Sequence, residues 1–166
     1  PIEQEGTYPL PEAQLDRFLL KINMEYPTVE EEVNILERHH TNTRLVKLDE
    51  IEPIMTKEEL LTLRGYLEKV YVEPALFQYI AQLIQQTRTS KAVYLGASPR
   101  ASVALLQASK ALALLQGRDF VTPEDIKFIA IPVLQHRLIL NAEAEMEGYT
   151  PEKVTRKLID KVEVPK

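Results

Sequence analysis

SPRASVALLQASKALALLQG, Ser98 to Gly117, is the stretch on which the reading of this fold turns. Ser98 is suited to cap a helix, Pro99 to stand at its first position, and Gly117 to stop it. Between them lies the most apolar helix that the sequence predicts, and a helix with so little polar surface belongs at the centre of a bundle. Outward from it the same start signal recurs, a hydroxyl residue with an acid two or three positions later. Thr122 and Pro123 open a helix with Asp125 after the cap, and Thr150 and Pro151 open another with Lys153 in place of the acid. Thr28 precedes VEEEVNILERH with Glu31 at the capping-box position, and Val29, Val33 and Leu36 share one face. Thr56 precedes KEELLTLRGYLEKV with Glu59 in the same role. A further helix is expected from Pro74 to about Thr87, packed on both sides through Leu76, Phe77, Ile80, Leu83 and Ile84.

The remaining apolar runs are short. RTSKAVYLG has a strand-like centre at Ala92 to Leu95, and HRLILN, His136 to Asn141, suits either a strand or a continued helix. Near the N-terminus, a helical turn is expected from about Pro11, and FLLKI, Phe18 to Ile22, reads as a short strand. The expected class is mainly α: a helical domain over 28–166, preceded by residues 1–26, which are too few for a domain of their own. The start at Pro1, without Met and in a polar, turn-prone segment, reads as a cut edge.

Composition agrees with a helical globular protein. The 166 residues are 45% hydrophobic and 27% charged, with only 5 glycines, and such a chain buries roughly 65 to 70% of its extended surface. A formal charge of -5 gives no general attraction to nucleic acid. With no cysteine there are no disulfides or thiolate metal ligands. No apolar run is long enough to span a membrane, no signal-peptide pattern is present, and the default location is cytoplasmic.

Several catalytic patterns are missing. None of Gly6, Gly65, Gly96, Gly117 and Gly148 is followed by Lys, so there is no phosphate-binding GxxxxGK loop. LVKLDEIE, Leu45 to Glu52, superficially resembles a magnesium-holding strand with Asp49 and Glu50 at its end. Lys47 interrupts it and Pro53 follows closely, which favours a solvated connection. His39, His40 and His136 lack zinc-ligand spacing, and His39 suits the end of a helix. No metal site is expected.

Two arginines stand out. Arg17 lies between Asp16 and Phe18, just after the expected turn. It is either a surface cation paired with Asp16 or Glu12, or a guanidinium presented to a neighbour's phosphates. Arg100 lies in the first turn of the central helix, where positive charge opposes the helix dipole. A bound anion would relieve that conflict; a salt bridge to Glu124 or Asp125, or plain exposure, is the alternative. Ser98 reads as a cap before a phosphate ligand, and Pro99 and Gly96 as residues that shape the turn and aim Arg100.

PIEQEGTYPLPEAQLDRF, YLGASPRASVALLQASKALALLQGRDFVTPEDI and VLQHRLIL together resemble the MoxR group of AAA+ ATPases. The resemblance implies a helical bundle of the AAA+ lid type, preceded by a remnant of an α/β nucleotide-binding domain. It implies that Arg17 is an arginine finger reaching the nucleotide of the next subunit. Arg100 would be the sensor-2 arginine, set at the nucleotide by Ser98 and Pro99. ATP and Mg2+ would be held mainly by a preceding half, so this chain alone is expected to be inactive. The working state implied is a chaperone-like ring, commonly hexameric, sometimes partnered by proteins with von Willebrand factor A domains. The rival readings are a free-standing helical adaptor without chemistry and a helical nucleic-acid-binding module.

Overall fold

A computed structural model describes residues 10–41 and 51–165. The opening segment up to Pro9 and the run carrying Asp49 and Glu50 lie outside the described residues. The chain forms two compact units, one of residues up to Lys21 together with those from Tyr66 onward, the other of Ile22–Gly65.

The smaller unit holds α2 (Val29–Thr41) and most of α3 (Lys57–Tyr66). Both begin as the capping signals predict. Glu31 N–H donates to Thr28 Oγ1 at 3.3 Å while Thr28 N–H donates to Glu31 Oε2 at 2.8 Å. The Thr56–Glu59 pair repeats this at 3.2 and 2.7 Å. His39 and His40 lie in the last turn of α2, where cations suit the helix dipole. No described residue of this unit is buried.

The larger unit carries the core. It begins with the single turn α1 (Glu12–Leu15), then resumes with a 3-10 turn at Leu67–Lys69, α4 (Pro74–Thr89), β1 (Val93–Leu95), α5 (Pro99–Leu115), α6 (Pro123–Leu134), β2 (Ile139–Leu140), α7 (Ala142–Met146) and α8 (Pro151–Lys161). α5 packs against α4 and α6, and α8 closes over both α4 and α6. Leu83, Leu105, Ile126 and Leu134 are fully enclosed at this junction. Pro99 stands at the start of α5 and Gly117, with φ of 74°, ends it in the left-handed conformation that suits glycine. β1 and β2 pair antiparallel, Val93 with Leu140 and Leu95 with Ile139, so HRLILN supplies a strand.

Three expectations need correction. In α4 the buried aromatic is Tyr79, 1% exposed, whereas Phe77 is 47% exposed. The helix turns Tyr79 inward beside Ile80 and Leu83, which leaves Phe77 at the edge of the stripe. Gly96 has no positive φ; its missing side chain matters because a Cβ there would lie 2.8 Å from Arg88 Cα. FLLKI forms no strand. Side chains rather than a neighbouring strand take up its carbonyls, and only Leu20 of Phe18, Leu19 and Leu20 packs against the core.

Candidate functional site

Three segments meet around Asp16: the turn after α1, the N-terminus of α5 and the C-terminus of α6. The last four carbonyls of a helix have no partner within it, and in α6 all four find one nearby. Ile131 O accepts from Gln135 N–H at 3.0 Å and Leu134 O from Arg137 N–H at 2.9 Å. Pro132 O accepts from Lys21 N–H at 2.9 Å, and Val133 O from Arg137 Nη1. The same guanidinium donates through Nη1 to Leu19 O at 3.2 Å and through Nη2 to Asp16 O at 3.0 Å and Phe18 O at 2.5 Å. His136 Nε2 donates to Phe18 O at 3.0 Å, and Gln135 Nε2 to Lys21 O at 2.6 Å. Gln135, His136 and Arg137 thus form a clasp that holds the backbone of residues 16–21.

The Asp16 carboxylate ties this clasp to α5. Ser98 Oγ donates to it at 2.9 and 3.0 Å, Arg137 Nε at 3.2 Å and Arg100 Nη1 at 3.3 Å. Burial opposes the charge on Asp16, but Ser98, Arg100 and Arg137 outweigh it and hold its pKa below 3.8. Ser98 Oγ also accepts from Arg100 N–H at 3.2 Å, so one hydroxyl caps α5 and fixes the helix start to the turn. The Arg137 side chain is 3% exposed and that of Arg100 is 62% exposed, so one carboxylate serves a buried cation and an open one.

Arg100 therefore has a salt bridge, but to Asp16 and not to Glu124 or Asp125. Asp125 is taken by Arg118, whose Nη2 lies 2.6 Å from Oδ1, and Glu124 faces Lys127. Arg17 is exposed, and its side chain forms no hydrogen bond or ion pair among the described residues. Neither expected partner holds it. Its backbone is fixed all the same, since Arg17 N–H donates to Gln14 O at 3.1 Å and both flanking carbonyls are clasped. Pro99 is exposed and contributes the helix start alone.

Sequence reasoning missed Arg137 and the full role of Asp16. One signal was available: Arg137 interrupts an otherwise apolar run into Leu138, Ile139 and Leu140, and a cation inside such a run requires a buried partner. Among the described residues no cluster of three or more His, Asp or Glu is placed to hold a metal, and no helix is long and apolar enough to cross a membrane.

Residues 85–158 match the AAA lid domain, which makes the bundle built on α5 and α6 the lid of an AAA+ protein. A protein from Cytophaga hutchinsonii, provisionally described as an ATPase, has a solved structure that superposes on the whole chain with a TM-score of 0.88 at 37% identity, and the match covers 52% of that protein. Chaperone MoxR1 of Mycobacterium tuberculosis is 38% identical, covering 99% of this chain and 45% of MoxR1. The uncharacterized protein YeaC of Bacillus subtilis is 42% identical, covering 99% of this chain and 51% of YeaC. The chain belongs to the MoxR family of AAA+ proteins, and it spans about half the length of the curated relatives it matches.

Proposed function

We propose that this chain supplies the arginine finger and the sensor-2 arginine of an ATP-hydrolysing, chaperone-like AAA+ machine. The observation that carries the reading is the contrast at the Asp16 cluster. Arg17 has a clasped backbone and an unengaged guanidinium. Arg100 is exposed at the N-terminus of α5, with the Ser98 cap and Pro99 fixing where it starts. A fixed backbone carrying a free guanidinium needs little reorganisation to meet developing charge on a phosphoryl group. Arg100 and the amides at the helix start can face an anion together.

ATP and Mg2+ fit this proposal as ligands held mainly by residues beyond this chain, because the chain has no phosphate-binding loop. When bound, they supply the phosphoryl group and the metal charge that polarises it. Arg17 then neutralises charge on the transferred group from a neighbouring subunit, and Arg100 contacts the phosphates from its own lid. Action between subunits requires an assembly, and a hexameric ring is the form proposed. A partner bearing a von Willebrand factor A domain is an implication of the family resemblance alone.

The test is steady-state ATP hydrolysis by the full-length protein beside its Arg17→Ala variant. Loss of a finger lowers turnover by about 10³ to 10⁵ in related nucleotide hydrolases, and the same collapse with nucleotide binding retained is expected here. Normal turnover without Arg17 would remove its catalytic role. The 166-residue chain alone is expected to show none, and a rate that travels with it and vanishes in Arg100→Ala would contradict the proposal.

A further inference from the structure

Resting on that reading, we infer that Asp16 is a positioning residue that links the aim of Arg17 to the state of Arg100 in the same chain. The carboxylate has three donors of unequal permanence. Arg137 is buried and also bonded to the carbonyls of Asp16, Phe18, Leu19 and Val133, so it cannot leave without stranding them. Ser98 is fixed by its own helix cap. Among the described residues the Arg100 side chain makes one polar contact, at 3.3 Å, and it is largely in solvent. An exposed single-contact pair of this kind contributes little and is readily exchanged.

Charge points the same way. Arg100 and Arg137 bring two positive charges to the one negative charge of Asp16, so the cluster has room for a further anion at its open side. When phosphate oxygens take Arg100, Asp16 is left to Ser98 and Arg137. Arg17 is the next residue. Its backbone lies between the Asp16 side chain and the Phe18 carbonyl, which Arg137 and His136 hold. A change in what Asp16 carries is therefore delivered to the base of the Arg17 side chain. Occupancy of a chain's own nucleotide site would in this way set the finger it offers to its neighbour.

A double-mutant cycle in the full-length protein tests the link, with nucleotide affinity, KM and kcat measured for Asp16→Asn, Arg17→Ala and the pair. Asp16→Asn is expected to lower kcat by about tenfold or more while nucleotide affinity and KM stay within about twofold. Because Asp16 acts through Arg17, the double variant is expected to be no slower than Arg17→Ala alone. Losses that multiply, with Arg17→Ala itself severe, would overturn the link and leave the finger standing. An Arg17→Ala variant that turns over normally would overturn the finger, and the link with it. If Asp16→Asn does not accumulate as folded protein, Ser98→Gly enters the same cycle. It removes the hydroxyl donor to Asp16 at little cost to the helix start, and the same two patterns decide.

Discussion

Arg137 is the residue on which the turn after α1 depends. Its guanidinium satisfies four backbone carbonyls and one carboxylate while being almost wholly enclosed. Removing one partner of a buried pair leaves the other uncompensated and costs about 3 to 5 kcal/mol. Arg137→Met is therefore expected to lower the urea midpoint by a corresponding amount, and a midpoint within experimental scatter of wild type would show that the carbonyls find other donors. His136 adds a pH dependence. Burial is the largest influence on its ring, the positive charges of Arg137 and Lys21 act in the same direction, and together they hold its pKa below 6.5 against the pull of the Phe18 and Pro132 carbonyls. The unfolded ring takes up a proton near 6.5. The stabilising contribution is thus full above that pH and is lost as pH falls toward the folded value. The urea midpoint should drop between about pH 7.5 and 5.5 in wild type and change less in His136→Gln; equal slopes would exclude His136 as the source. Asp16 acts in the same direction further down, below 3.8.

At the level of elements, what could be read from the sequence was what is local. The caps at Thr28, Thr56, Ser98, Thr122 and Thr150 all form, because each joins atoms two or three residues apart. FLLKI forms no strand although its apolar pattern suits one, because that pattern carries nothing of the clasp, whose residues lie more than a hundred positions away. The same distance hid the partner of Arg100: Asp16 is 84 residues before it, while the expected Glu124 and Asp125 are nearer in sequence. Gly96 matters through a close approach and not through its backbone angle. It sits where α4 and the β1–α5 connection touch, with Arg88 Nε donating to Ala97 O at 2.9 Å and Ala97 N–H to Thr87 Oγ1 at 3.0 Å. A methyl group there would meet Arg88 N and Cγ at 2.9 Å. Gly96→Ala must therefore push the connection off α4, an overpacking expected to cost about 1 to 3 kcal/mol. An unchanged melting temperature would mean that the two segments separate freely.

For the whole molecule, the division into two units predicts unequal stability. The Ile22–Gly65 unit has no buried residue among those described, whereas α4, α5 and α6 enclose the core. Local opening is easiest where few apolar groups are enclosed. Amide hydrogens of α2 and α3 are thus expected to exchange well before those in the middle of α5, by mass spectrometry or NMR. Exchange at one common rate would mean that the chain opens only as a single body. The larger unit is also discontinuous, and that bears on its synthesis. The bonds from Arg137 to Asp16 join residues 121 positions apart, and a ribosome adding 5 to 20 residues per second takes about 6 to 24 s to cover that distance. Throughout that interval the nascent turn bearing Arg17 can form its local bonds but has no clasp, which closes only once Arg137 leaves the exit tunnel.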